Sequence, residues 1–373
     1  MGREVTFIHT SDIHLGRSFK YLGDKAKSAR DHLNDILFKI ADLAITKKVD
    51  IVFIVGDLFD KDNPDLNTIN KFIEFTEVLN SKAIKIVILP GTHDLLSDST
   101  IYNKDDIFKI LTNVYIFRDE NEFYFDDLSL TVYGLPSISS KTEISPINSF
   151  KKNEKSLYHV ILAHGSVQIE GKSSKDDTPI ELDDIKNSFA DYIALGHWHQ
   201  NMNFSSTKVP CFYSGSPELI DLDQVNSGFV IYGNLKEKKF ENIKVGDMEF
   251  DEIIIDVGGI KSIESLLLRI KKDAKDTLVR KVILTGKKSE GLYGLDIVEL
   301  KDVLKNYFYF LNITDNTFID YKLESLENLN LVDKVYAKNL LSLINECDDP
   351  NQKKFFLESL EEGLALLSGV SKL

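Results

Sequence analysis

The chain has 373 residues, 43% apolar and 28% charged, with 20 Gly and 8 Pro. That length suits two or three domains with buried cores, and the composition excludes a collagenous, low-complexity or wholly disordered polymer. Forty-five Lys and Arg against 59 Asp and Glu give a formal net charge of −14, which excludes a generally basic surface for nucleic acid and confines any grip on a polyanion to local patches.

In chain order, apolar β-branched runs predict strands at Val5 to His9, Ile51 to Val55, Ile86 to Leu89, Val160 to Ala163 and Tyr192 to Leu195. Helical patterns predict helices from Asp31 to Lys47 and from Asn67 to Asn80, the latter with Asn67 as N-cap. That alternation argues for βαβ units. Short runs broken by Asp, Gly, Ser and Pro between Asn121 and Tyr133, and between Lys208 and Ile255, read as hairpins, so antiparallel strands join the sheet. The texture changes near Asp251. A strand, a helix (Ser262 to Lys272), a strand (Leu278 to Thr285), a helix (Asp296 to Lys305) and an aromatic strand (Tyr307 to Ile313) predict a second, smaller α/β unit. Two helices follow, Leu331 to Ile344 and Pro350 to Leu367, with Pro350 at a helix start and Gly369 past an end. Phe356, Leu360, Leu364 and Leu367 recur at helical spacing and predict a packed stripe. The expected organisation is an α/β domain over residues 1–250, a small α/β unit over 251–325 and a helical segment over 326–373.

Chemistry gathers at strand ends. Thr10-Ser11-Asp12-Ile13-His14 follows the first strand, Gly56-Asp57 the second and Pro90-Gly91-Thr92-His93-Asp94 the third; His164-Gly165 and Gly196-His197-Trp198-His199 follow the last two. In open α/β sheets ligands bind in the crevice beyond the carboxyl ends of the strands, so these residues have one place to converge. Singly, each also reads as an ordinary turn or capping residue. Together, imidazoles and carboxylates without thiolate suit Mn²⁺, Fe or Zn²⁺ better than Ca²⁺ or a structural zinc. Asp12 and His14, like His197 and His199, are two apart, a spacing that in a strand puts the pair on one face and in a strand-end loop lets it reach different ions. Two ions about 3.5 to 4 Å apart form an apparatus for in-line hydrolysis of a phosphate ester.

Asp12-Ile13-His14, Gly56-Asp57-Leu58-Phe59-Asp60, Gly91-Thr92-His93-Asp94, His164 and Gly196-His197-Trp198-His199 resemble, in order and spacing, the five motifs of calcineurin-like metallophosphoesterases. Ser11-Asp12-Ile13-His14-Leu15-Gly16 and Ala163-His164-Gly165-Ser166-Val167 look most like the SbcD-type nuclease subunit of double-strand-break repair complexes. The resemblance implies a layered αββα sandwich with a small α/β cap and a helical tail. It implies that Asp12, His14 and His199 hold one metal, that Asp57 bridges, and that His164 and His197 hold the other. His93 would stabilise the transition state or protonate the leaving oxygen, with Asp60, three residues after the bridging Asp, orienting it. Relatives carry Asn where this chain has Thr92, so the second ion would be held through a weaker hydroxyl ligand.

The implied function is an Mn²⁺-dependent DNA exo- or endonuclease of DNA repair, with Mg²⁺, Fe or Zn²⁺ as alternative ions. Its implied partners are DNA, an SMC-like ATPase of the SbcC type docked on the helices after Leu331, and a second copy as homodimer. Two other readings use the same residues: a phosphodiesterase of small nucleotides, or a scaffold subunit whose metal site is impaired at Thr92. Trp198 between two ligands reads as packing against the sheet, with base stacking the alternative. Lys151, Lys152 and Lys155, and Lys236, Lys238 and Lys239, read as solvated loop charge that also offers places to grip phosphates. From Asp251 onward 17 Lys and Arg face 21 Asp and Glu, so −10 of the −14 belongs to the first 250 residues. Cys211 and Cys347 fit no disulfide framework and read as small buried residues of a reducing compartment. With no apolar run near the roughly 18 residues of a membrane span, the expectation is a soluble cytoplasmic protein. Met1-Gly2 with Thr6, and Ser371-Lys372-Leu373, match short targeting patterns that arise by accident, and no role is assigned to them.

Overall fold

Continuous apolar runs suit strands buried on both faces, because neither side of such a strand needs a polar set. In the computed structural model, which describes residues 3–108, 111–139, 145–169, 178–206, 208–222, 224–292, 295–318 and 330–367, three such runs form β1 (Thr6–Thr10), β2 (Ile51–Val55) and β3 (Lys85–Leu89). The helices α1 (Ala26–Lys47) and α2 (Leu66–Asn80) make the crossovers, so the strands pair in parallel, β1 with β2 and β2 with β3. A short α3 (Asp105–Phe108) precedes β4 (Val114–Ile116).

The chain then builds a second sheet. β5 (Glu122–Phe125) and β6 (Leu130–Gly134) form the hairpin expected between Asn121 and Tyr133. They are followed by β7 (Tyr158–His164), a two-stranded ladder of β8 (Ser166–Val167) and β9 (Pro179–Ile180), α4 (Leu182–Asn187), β10 (Tyr192–Gly196), β11 (Met202–Asn203) and β12 (Cys211–Tyr213). β13 (Phe229–Asn234) and β14 (Lys239–Lys244) return as a hairpin to the first sheet, β13 antiparallel to β1. The two six-stranded orders are β14-β13-β1-β2-β3-β4 and β11-β12-β10-β7-β6-β5.

The sheets face each other. Phe7, Phe53, Val55, Val87 and Leu89 from the first share one buried core with Leu130, Val132, Val160, Leu162, Tyr192 and Ala194 from the second. The alternate side chains of the first sheet, Ile8, Val52, Ile54, Ile86 and Ile88, are fully buried on its other face, and those of the second, Ile161, Ala163, Ile193 and Leu195, pack with Ile185 of α4. This is the layered αββα arrangement, and each buried Phe or Leu contributes about 1.5–3 kcal/mol of transfer free energy.

The chain divides into two compact units, Met1–Phe250 and Asp251–Leu373. In the second, β15 (Glu249–Asp256), β16 (Leu278–Lys287) and β17 (Phe310–Phe318) form a sheet in that order, carrying α5 (Ile263–Lys271) and α6 (Ile297–Leu304). Leu266 and Ile270 of α5 and Leu300 and Leu304 of α6 bury against Val282, Leu284 and Ile313. Arg280, almost fully buried, forks onto Asp251, donates to the carbonyls of Ile270 and Lys272, and lies over the Phe308 ring. The helices α7 (Leu331–Glu346) and α8 (Pro350–Leu367) pack around Ala337, Ile344 and Leu360. The expected boundary at 325/326 and Gly369 lie outside the described residues, as do Met1-Gly2 and the last three residues.

Several local expectations are corrected. α1 begins at Ala26 rather than Asp31, because Ala29 is buried and the Arg30 guanidinium donates to the Ser18 carbonyl, so tertiary contacts extend the helix backward. The N-cap of α2 is Asp65, whose carboxylate accepts from the Thr68 N–H at 2.9 Å, and Asn67 lies inside the first turn. Cys211 is buried, but Cys347, at the end of α7, is partly exposed. Phe356 and Leu364 pack toward α7, whereas Leu367 at the end of the stripe and Phe355 beside it are exposed.

Candidate metal centre

At the carboxyl ends of the strands the backbone leaves its ordinary range. Asp12, His14, Asp57 and His197 all have positive φ, a conformation that costs a non-glycine residue about 1–3 kcal/mol and persists only where surrounding contacts fix it. Here a ladder between the loops after β1 and β2 does so: Asp12 N–H donates to Gly56 O, His14 N–H to Asp57 O, Leu15 N–H to Leu58 O and Asp60 N–H to Leu15 O, at 2.9–3.1 Å. The result aims Asp12, His14 and Asp57 into the crevice. Gly56 (φ 78°) has no room for a side chain, since a Cβ would lie 1.9 Å from His164 Nδ1, and a Cβ on Gly91 would lie 2.2 Å from Asp57 Oδ1.

Asp57 sits at the centre. Its Oδ1 accepts from the His93 N–H at 2.8 Å, and its Oδ2 lies 3.7 Å from His14 Nε2, 3.4 Å from His164 Nε2 and 3.4 Å from Thr92 Oγ1. Thr92 Oγ1 is also 3.4 Å from His164 Nε2, which places the hydroxyl beside both Asp57 and His164. The Asp12 carboxylate accepts from the His197 N–H at 3.0 and 3.1 Å. His164 donates Nδ1–H to Val55 O at 3.2 Å, which turns Nε2 toward Asp57. His199 places Nδ1 3.5 Å from Asp221 Oδ2 and its ring 5.1 Å from that of His14, while the His197 ring lies edge-on to His164 at 5.2 Å.

Burial alone would push these charges away, raising the Asp57 carboxyl and lowering the His164 imidazole. The attraction between them, with help from His14 and Asp12, wins: Asp57 is held far below the usual carboxylate range and His164 is raised to about 9. His199 is also raised; burial opposes its charge, and the bond to Asp221 and the field of Asp12 outweigh burial.

The donor set accommodates divalent cations. Asp12, His14 and His199 bring one ligand atom each within 4.8 Å of one another, and so do Asp12, Asp57 and His164. The two groups share Asp12, and Asp57 lies between His14 and His164. His14 Nε2 is buried in this space with no hydrogen-bond partner, a cost that a bound cation would remove. His197 stands beside these groups rather than within either of them.

Asp60 stands beside two imidazoles, His14 and His93. Its carboxylate lies 3.2 Å from His14 Nδ1 and 3.2 Å from the Arg17 guanidinium, its main-chain carbonyl lies 3.4 Å from His93 Nδ1, and His14, Asp60 and His93 bring one ligand atom each within 4.8 Å of one another. The carboxylate's hydrogen bond goes to His14, whose loop pairs backbone to backbone with that of Asp60. His93 is exposed at the mouth, its ring 4.6 Å from that of His14.

Three residues of the centre carried no role in the sequence reading. Asp94, fully buried, accepts from the N–H groups of Asp57, Phe59 and Gly91 and from the Tyr102 hydroxyl, tying the loops after β2 and β3 together. Its place beside His93 was the available signal. Arg17 and Asp221 meet only in the fold. Trp198 stacks on Tyr213 at 5.3 Å and donates to Ser166 Oγ, so it packs against the second sheet. The six lysines of the two basic clusters are exposed, Lys239 paired with Glu241. No helix among the described residues is long and apolar enough to cross a membrane.

The calcineurin-like phosphoesterase family model matches residues 5–201. The chain is 22% identical over 308 residues to the uncharacterized metallophosphoesterase YhaO of Bacillus subtilis, covering 78% of this chain and 74% of that one. It is 25% identical over 233 residues to the DNA double-strand break repair protein Mre11 of Saccharolobus solfataricus, covering 61% and 58%. With the Mre11 of Methanococcus maripaludis the identity is 24% over 343 residues, covering 89% and 83%.

Proposed function

Since the chain belongs to the calcineurin-like phosphoesterase family through residues 5–201, we propose that this metal-dependent phosphoesterase is a two-cation phosphodiesterase that cuts DNA beside an SMC-like ATPase of the SbcC type. The observation that carries the hydrolase is the pair of donor groups sharing Asp12, with Asp57 between His14 and His164 and His93 exposed at the mouth. Asp12, His14 and His199 would hold one ion, His164, His197 and Thr92 the other, with Asp57 facing both. Divalent cations at such a centre, Mn²⁺ by the family resemblance and Fe or Zn²⁺ equally by the donors, would supply a lowered pKa for the attacking water and positive charge against the phosphoryl oxygens.

The residues do the rest. His93 N–H fixes the Asp57 carboxylate, and His93 Nδ1–H donates to the Asp60 carbonyl, so that the imidazolium form would carry its second proton on Nε2 for the leaving oxygen and become neutral on giving it up. His164 and His14 are each oriented through Nδ1, by the Val55 carbonyl and by Asp60, which leaves Nε2 as the ligand atom. DNA is supported by the likeness to the Methanococcus Mre11, which extends past the family model over 343 residues. A chain of net charge −14 binds a polyanion weakly by itself, which favours a partner. The unit built on β15 to β17 would help guide DNA, and α7 and α8, exposing Leu331, Val332, Val335, Leu343 and Phe355, would carry the ATPase. A homodimer belongs to the same proposal.

The test is hydrolysis of duplex DNA, single-stranded DNA, small nucleotides and an aryl phosphodiester, with Mn²⁺, Mg²⁺ and Zn²⁺ in turn, with and without the ATPase. Mn²⁺-dependent DNA cleavage that is lost in His93→Ala is expected. Faster turnover of nucleotides than of DNA would overturn the substrate, and no hydrolysis of any of them would overturn the enzyme.

A further inference from the structure

One guanidinium links both imidazoles of a single donor group. Arg17 lies in the loop after β1, three residues from His14. Its Nη1 is 3.2 Å from Asp60 Oδ1 and its Nη2 is bonded to Asp221 Oδ1. The same Asp60 oxygen lies 3.2 Å from His14 Nδ1, and the other oxygen of Asp221 lies 3.5 Å from His199 Nδ1. His14 follows a strand of the first sheet, whereas His199 and Asp221 follow strands of the second, so the path from His14 through Asp60, Arg17 and Asp221 to His199 crosses between the sheets. The Tyr21 hydroxyl, donating to Ile220 O at 2.6 Å, holds the Asp221 segment beside it.

The other donor group is supported differently. His164 Nδ1 meets the main-chain carbonyl of Val55, and the Asp57 Oδ1 on which that group depends is fixed by the main-chain N–H of His93. We propose that Arg17 is a positioning residue that sets the cation affinity of the Asp12–His14–His199 group and leaves that of the Asp57–His164 group alone. A planar fork spans two carboxylates at fixed separation, and with both aligned, both imidazoles present the nitrogen opposite Nδ1 to one ion. A lysine restores the charge and not the span.

The inference rests on the cation reading above, and the experiment separates the two. Mn²⁺ is titrated by calorimetry into the full chain as wild type, Arg17→Ala and Arg17→Lys, and again with His164→Ala added so that the Arg17-dependent group remains. The wild type binds two ions. Arg17→Ala loses about 10- to 100-fold at one site and stays within about twofold at the other; the same loss recurs in the His164→Ala background, and Arg17→Lys recovers only part of it. The Mn²⁺ concentration for half-maximal hydrolysis rises in step, while kcat at saturating Mn²⁺ returns toward wild type. Unchanged affinity in Arg17→Ala, an equal loss at both sites with a lowered unfolding midpoint, or full recovery by Arg17→Lys would overturn the proposal. A wild type that binds no Mn²⁺ would overturn the cation reading, and the clamp with it.

Discussion

His164 and Asp57 meet at 3.4 Å in a site where neither is exposed, and each keeps the other charged against the pull of burial. A ligand imidazole is neutral, so a cation entering the His164 group displaces a proton that the free protein holds up to about pH 9. Apparent affinity is therefore expected to rise as the pH is raised toward 9 and to fall below it. Calorimetry in buffers of different ionisation enthalpy reads the released proton directly, and a pH-independent affinity would contradict this. His93 is separable from cation binding, since its contact with Asp57 is through the main-chain N–H, which alanine retains. His93→Ala is expected to lower kcat about 10²- to 10⁴-fold with Mn²⁺ affinity unchanged, and joint loss of both would place the ring among the ligands. At this scale the sequence exposed residue types and not partners. Asp60 was read as the support of His93, and its carboxylate went to His14 because two neighbouring loops pair backbone to backbone.

Loops after strands do the positioning, and they are fastened by one buried carboxylate. Asp94 accepts three N–H groups from two loops and the Tyr102 hydroxyl. Burial and the nearby Asp57 raise its pKa, and those donors oppose the rise. Asp94→Ala leaves the donors without an acceptor, so a stability loss on the order of 3 kcal/mol is expected, read from the shift of the urea midpoint, together with weaker Mn²⁺ binding. A midpoint within about 0.5 kcal/mol of wild type would deny the fastening role. The strands of these elements were legible as apolar runs because burial on both faces demands them. Element ends were not, since Asp65 and Asn67 are equally good caps by type, and only ψ decides which side chain reaches an N–H.

For the molecule as a whole, His9 links the interior to pH. It lies fully buried between the sheets, donating Nε2–H to Leu195 O while Nδ1 accepts from Tyr192, and burial holds its pKa down to about 3. The unfolded chain takes up a proton near pH 6.5 that the folded chain refuses until about 3, so this contribution is full above 6.5 and is lost as the pH falls across that window. Urea midpoints are expected to drop from pH 7 to pH 4 more steeply in the wild type than in His9→Gln. Equal slopes would assign the acid loss elsewhere. His9 also illustrates the limit of reading imidazoles by position, since it is three residues from Asp12 and yet belongs to the core.

The sequence by itself determined the family, the layered α/β class and the residue types at the strand ends, because burial imposes apolar runs and the chemistry imposes Asp and His where the runs stop. Only the tertiary structure decided which carboxylate supports which imidazole, that Asp94 ties two loops, and that Arg17 meets Asp221, 204 positions away. Those pairings depend on loop conformation and on the facing of two sheets, and no periodicity or spacing along one chain encodes either.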